Sequence, residues 1–191
     1  MSTGWSSYDT AAKSHDRVAV RTLFEQPAHD LIAKLDLRSA RCILDIGTGT
    51  GVAALHAVDI THGEALVAGI DPSIEMLRIA GTNGLRLRAA ALIPGLPFAS
   101  AAFDRILASF VLSHVPSYSA ALLDVARVLK PGGRFGCTSW GSIENEFRAA
   151  WQSIAESFVD KDMLARAVKE ALPWEEWFTD TDRLAPFARV S

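Results

Sequence analysis

At 191 residues, 49% hydrophobic and 21% charged, the chain is long enough for a continuous core and too apolar for a disordered segment. Its formal charge of −3 offers no attraction to a polyanion, which argues against a nucleic-acid partner. No stretch has the length and apolarity of a signal peptide or a membrane span, so a cytoplasmic protein is expected.

In chain order, residues 9–25 read as a helix with Val18, Leu23 and Phe24 on or near one face, and Pro27 opens a second helix, where a missing N–H costs nothing. Short apolar runs then alternate with helical patterns. Strands are predicted at 41–46, 65–70, 85–89, 104–110 and 133–140, with helices near 51–60, 73–80 and 117–129. This alternation predicts an α/β fold, doubly wound around a mostly parallel sheet. In the third strand Leu85, Arg86, Leu87 and Arg88 alternate strictly, as suits a sheet edge, whereas the first strand is apolar enough to be central. Cys42 and Cys137 lie in separate apolar runs and read as small core residues of a protein kept reduced.

Beyond Trp140 the pattern changes. Phe147, Trp151, Ile154, Ala155 and Phe158 stand at helical spacing within 144–158, as do Leu164, Ala167, Val168, Ala171 and Leu172 within 161–172. The rest is aromatic and loop-like. With no repeat or linker, residues 1–191 read as a single domain: a helical cap over 1–40, a ligand-binding core over 41–140, and a helical and aromatic segment over 141–191.

The segment "ILDIGTGTG" (43–51) carries the chemistry. Glycines at 47, 49 and 51 permit a sharp strand-to-helix turn and let a ligand meet bare backbone. The following helix offers unpaired N–H groups and the positive end of its dipole. Asp71 ends the next strand, 71 − 49 = 22 residues on, the spacing at which an acid takes ribose hydroxyls. The third glycine comes one position early for a dinucleotide fingerprint. Asp45, just before the loop, is poorly placed beside a pyrophosphate and well placed beside an amino group or a sulfonium.

The ordered set "ILDIGTGTG", "VAGIDPSIEML", "LPFASAAFDRI", "SFVLSHV" and "ARVLKPGGRF" resembles the class I S-adenosylmethionine-dependent methyltransferases, in their small-molecule branch. The resemblance spans roughly residues 40–140 and implies a Rossmann-like sheet of order 3-2-1-4-5. The family's last two antiparallel strands would be short or missing, leaving strand five with an open edge. A fragment of a longer enzyme, a natural short form and a homodimer covering that edge all fit this pattern.

The resemblance further implies S-adenosylmethionine as cofactor, methyl transfer as the reaction, and a role for each matching residue. Gly47, Thr48, Gly49 and Gly51 form the loop against its methionine portion, and Asp45 lies near its amino group. Asp71 takes the ribose hydroxyls, while Pro72, Ile74 and Met76 touch the adenine. Ser109 and Phe110 line the floor beneath the sulfur, and "KPGG" (130–133) turns into strand five. One departure stands out: Leu92 replaces the family's usual aspartate toward the adenine amine, so the backbone N–H of Ile93 is left to hold a ring nitrogen. Losing a neutral hydrogen bond there costs about 1 kcal/mol of binding.

His114, after strand four on the ligand-binding end of the sheet, is the candidate general base; the alternative is a structural histidine of the "SHVPS" turn. His15, His29, His56 and His62 show no clustered partners, and no metal-ligand spacing occurs. By the same resemblance Trp5, Tyr8, Trp140, Trp174, Trp177 and Phe178 would form a lid for an apolar or aromatic acceptor; Trp140, Trp174 and Trp177 read equally as core residues, and Trp151 reads as core. Two alternatives remain beside methyl transfer: a non-methylating or inactive partner subunit of the same fold, and an NAD(P)-dependent oxidoreductase.

Overall fold

The computed structural model describes residues 23–115, 117–139 and 146–171, together with 9, 12, 13, 16 and 20. These fall into two compact units divided after Thr138.

In the first unit, α1 (Glu25–Leu35) buries Ala28, Leu31, Ile32 and Leu35, one stripe at helical spacing. Pro27 sits in its first turn, which directly follows the π-helical Leu23 and Phe24. There follow β1 (Cys42–Ile46), α2 (Val52–Ile60), β2 (Leu66–Asp71), α3 (Ile74–Thr82), β3 (Leu87–Ala90), β4 (Phe103–Ser109), α4 (Tyr118–Val128) and β5 (Leu129–Thr138). Ser73 and Ser117 cap α3 and α4, their hydroxyls accepting from Met76 N and Ala120 N.

The five strands form one parallel sheet of order β3-β2-β1-β4-β5, so β1 is central and β3 an edge, as expected. Ile43 and Leu107 share a core with Leu31 and Leu35 of α1, Ala53, Ala54 and Ala57 of α2, and Ala80 of α3. Leu44, Ile46, Ile106 and Ala108, of opposite pleat parity, are equally buried. Both faces of the middle strands are therefore covered, and this double burial is why they read as unbroken apolar runs.

Three details depart from the expected pattern. First, Leu85 is buried while Leu87 is 47% exposed, because the ladder begins only at Leu87 and the alternation of 85–88 does not continue across it. Second, "KPGG" does not precede β5 but interrupts it. Phe103 pairs with Leu129 and Arg105 with Arg134, so two residues of β4 face five of β5, and Gly132 takes a φ of +74° within the excursion. Third, His29 and His56, expected to stand apart, stack with ring centroids 3.8 Å apart, since α1 packs on α2. Burial, then the charge of His29, holds the His56 pKa down. Cys42 and Cys137 are half-buried free thiols.

In the second unit, α5 (Glu146–Phe158) and α6 (Lys161–Ala171) contact each other. The Asp160 carboxylate caps α6 by accepting from Asp162 N and Met163 N. Ile154 and Phe158, expected on an apolar face, are 54% and 83% exposed. Trp5, Tyr8, Trp140, Trp174, Trp177 and Phe178, and the side chain of Trp151, lie outside the described residues, and among the described residues no strand follows β5.

Gly69 links the sheet of the first unit to the loop above it. A Cβ there would stand 2.7 Å from both Leu85 Cδ2 and Thr48 Oγ1. Gly69→Ala is therefore expected to overpack a closed site and lower stability by about 1–3 kcal/mol, read as a fall in the urea midpoint with an unchanged slope.

Candidate active site

The residues singled out by sequence gather at the carboxyl end of β1, β2 and β4, the end where open parallel sheets bind ligands. Three glycines with positive φ, Gly47 (+68°), Gly49 (+54°) and Gly51 (+98°), carry the chain from β1 into α2. Thr48 N donates to Ile70 O at 2.9 Å and Gly51 N to Thr48 O at 2.8 Å, so the turn is stitched to the end of β2 and to itself.

The glycines do different work. A Cβ on Gly47 would collide with the Val111 side chain, and one on Gly51 would lie 3.4 Å from Ala80 Cβ and Leu55 Cδ1. A Cβ on Gly49 would meet nothing within 4 Å among the described residues. Of the three, only Gly49 has missing side-chain volume that opens toward space a ligand can use; at Gly47 the protein fills that space itself.

Two carboxylates flank this opening. Asp45 is 1% exposed. Its Oδ2 accepts from Thr48 Oγ1 at 2.8 Å and Ala54 N at 3.1 Å, while its buried Oδ1 has no partner among the described residues. Burial pushes this carboxyl up to about 7, against the two hydrogen bonds. Asp71 Oδ2 accepts from Gly49 N at 2.9 Å and Oδ1 from Ser73 N at 2.8 Å. Burial raises its pKa as well, opposed by those same N–H groups and assisted by the charge of Asp9. The Asp9 carboxylate in turn accepts from Ser73 Oγ and Glu75 N.

The remaining candidates surround these acids. Pro72 is half-buried and Ile74, opening α3, is 61% exposed. Met76 and Ile93 are buried, at 2% and 7% exposure, and Leu92 is 50% exposed. The loop carrying Leu92 and Ile93 leaves β3 beside the acid, with Ala91 N donating to Asp71 O at 3.3 Å.

At the end of β4, Ser109 Oγ lies 3.1 Å from Thr138 Oγ1, and Phe110 N donates to Thr138 O at 3.1 Å. Phe110 has a φ of +55°, costing on the order of 1–2 kcal/mol for a bulky side chain, and its ring meets Phe24 edge-on at 5.3 Å. His114 lies on the 3₁₀ turn Leu112–His114. Desolvation lowers its pKa, favouring neutral imidazole, the form a general base requires. His114 is an exposed residue, so solvent screens this effect.

Sequence reasoning missed Val111, Ser73, Gly69 and Thr138. Ser73 carried a signal in its capping position before α3. The other three act through contacts across the sheet and have no local signature. The whole arrangement is a bare backbone patch between two buried acids, electrically suited to a cation with hydroxyl groups attached.

Residues 44–137 match a family described as "Methyltransferase domain". The demethylmenaquinone methyltransferase of Tropheryma whipplei is 37% identical over 133 residues, 66% of this chain and 54% of that protein. The malonyl-[acyl-carrier protein] O-methyltransferase of Pseudescherichia vulneris is 32% identical over 171 residues, covering 85% and 66%. The chain spans about half the length of the curated relatives it matches. A crystal structure from Thermotoga maritima, titled an S-adenosylmethionine-dependent methyltransferase, superposes with a TM-score of 0.62 over 87% of this chain and 80% of that one. At 21% identity it speaks to the fold alone. No helix among the described residues is long and apolar enough to cross a membrane.

The buried state of Asp45 has a pH signature. With a folded pKa of about 7 against an ordinary value of 3.8, the folded chain holds a proton that the unfolded chain releases. Its stabilising contribution is present below the unfolded value and declines as pH rises toward 7. Asp45→Asn removes this titration, so the difference in unfolding free energy between wild type and variant is expected to change across pH 4–7 and to level off above it. A constant difference in urea titrations over that range contradicts the assignment.

Proposed function

For a chain that belongs to the class I S-adenosylmethionine-dependent methyltransferases, we propose that it transfers a methyl group from S-adenosylmethionine to a small-molecule acceptor in the cytoplasm, residues 41–140 forming the cofactor-binding core. The observation that carries this reading is the Asp71 carboxylate bridging Gly49 N and Ser73 N beside the one glycine of the loop whose missing Cβ meets nothing among the described residues.

The residues fit the cofactor. Each Asp71 oxygen accepts one N–H in the structure, and a carboxylate oxygen has a second lone pair free for a ribose hydroxyl. Asp45, with a buried Oδ1 lacking a partner among the described residues, favours an ammonium group nearby: a positive charge there stabilises the ionised acid. Gly49 lets the amino-acid portion lie against backbone. Pro72 and Ile74 offer apolar surface for the base, and the Ile93 N–H an edge contact. Ser109 and the strained Phe110 shape the floor where methyl donor and acceptor meet. Bound there, the cofactor supplies a methyl carbon activated by positive sulfur, so the chain's part is to align the partners and exclude water. His114 takes a proton from an acceptor hydroxyl or acid when the acceptor must lose one.

The relatives' names speak of a quinone precursor and of an acyl-carrier-protein-bound malonyl group. For this chain we extend the reading to an apolar or aromatic acceptor, on the ground of its aromatic-rich terminal segments. Among the described residues no strand pairs with the outer edge of β5, and a homodimer covering that edge is one arrangement that fits.

Calorimetry with S-adenosylmethionine is the direct test. Asp71→Ala is expected to weaken binding at least tenfold, about 1.4 kcal/mol, with Asp71→Asn intermediate because it keeps one acceptor oxygen. Gly49→Ala, strained by its positive φ, is expected to weaken binding while costing about 1 kcal/mol of stability. Unaltered affinity in Asp71→Ala would remove the proposed pose.

A further inference from the structure

The connection from β3 to β4, residues 91–102, contains no helix. A structureless connection of that length in a compact domain normally carries function. It contains the position where Leu92 stands in place of an acid, and its backbone is bound at both ends. At its start Ala91 N donates to Asp71 O. At its far end Ala101 N donates to Arg127 O at 2.9 Å and Ala102 N to Val128 O at 2.8 Å, while the Phe98 ring meets Phe103 edge-on at 4.9 Å.

Between those ends it is gripped by a helix. Asp124 of α4 accepts from Gly95 N and Leu96 N, both at 2.7 Å to Oδ2. Arg127, one turn on, pairs with Asp124 Oδ1 through Nη2 and Nε at 2.8 and 3.0 Å. Its Nη1 donates to Phe98 O at 2.6 Å and Nη2 to Leu96 O at 2.9 Å. Two side chains thus satisfy four backbone groups of one short segment, while Ile93 and Leu96 are buried beneath it at 7% and 4% exposure. Among the described residues the N–H groups of Leu92 and Ile93 meet no acceptor.

We infer that Asp124 and Arg127 are positioning residues for base recognition, clamping residues 95–98 so that the backbone N–H groups of the adjoining Leu92 and Ile93, rather than a side-chain carboxylate, read the adenine edge. This rests on the cofactor reading above. The physical reason is that a backbone donor discriminates between bases only if it is held still. A carboxylate on a side chain can adjust to its partner, whereas an amide in an unsupported loop pays for its alignment on binding. Burial pushes the Asp124 carboxyl up, but the N–H groups of Leu96 and Gly95 and the Arg127 guanidinium outweigh it and hold it below the usual range. The clamp is therefore charged, and so strong, throughout the neutral range.

The test compares two ligands on the intact protein: S-adenosylhomocysteine, and its hypoxanthine counterpart in which a carbonyl replaces the adenine amine. Wild type is expected to prefer the adenine ligand at least tenfold. Asp124→Ala is expected to cut that preference at least fivefold, and Asp124→Asn, which keeps an acceptor oxygen for the same N–H groups, to restore most of it. A clamp with only a structural role would weaken both ligands equally, so a preference unchanged within twofold in a folded Asp124→Ala overturns the inference. Should Asp124→Ala fail to fold, Arg127→Met, which deletes the two carbonyl contacts, takes its place: a fivefold loss of preference supports the clamp, and an unchanged preference overturns it. A wild type that binds both ligands alike overturns the clamp's role and leaves the cofactor assignment standing. A wild type that binds neither overturns the cofactor assignment and the clamp with it.

Discussion

The carboxylate of Asp71 holds the candidate site together. One oxygen accepts from Gly49 N in the turn after β1, the other from Ser73 N at the start of α3. A loop 22 residues back along the chain, 71 − 49, is thereby joined to the N-terminus of the helix that follows. The bond is possible because β1 and β2 are parallel and in register from Cys42 with Leu66 to Ile46 with Ile70. Asp71 then stands one residue past the end of β1, level with the loop. The side chain proposed to bind ribose also defines the loop's shape, so affinity and loop geometry are coupled through a single group.

Around that bond, each bare position has its own reason. Val111, following β4, occupies the volume that Gly47 lacks, and Thr48 with Leu85 occupies the volume that Gly69 lacks. Among the described residues, Gly49 alone of the loop's glycines leaves its volume open. The loop is wedged from below by the protein and exposed from above at one point. Close packing makes such a wedge stiff, and stiffness keeps two buried acids, Asp45 and Asp71, near each other despite their mutual repulsion, which contributes to the raised Asp45 pKa.

In the proposed pose, base recognition follows a different logic from sugar recognition. On the sugar side an acid is present and hydrogen-bonded; on the base side Leu92 presents an apolar, half-exposed side chain. The segment beyond it is compensated from α4, where Asp124 and Arg127 hold four of its backbone groups. Loss of a side-chain contact at one position and rigidity imposed from another helix are two halves of one arrangement.

What was legible in the sequence is what local chemistry determines. Apolar runs buried on both faces announce parallel strands, basic alternation announces an edge, and glycines before a helix with an acid 22 residues on announce a cradle. These signals need only the strand's period, the absence of a Cβ and the chain's own spacing. The interruption of β5 by "KPGG", the stacking of His29 on His56, the wedge of Val111 under Gly47 and the grip of Asp124 on Gly95 were not legible. Each joins residues whose separation along the chain bears no relation to their separation in space. Helix packing and sheet register decide which side chains meet across such gaps, and they form only when the whole core closes, so the tertiary structure alone decided them.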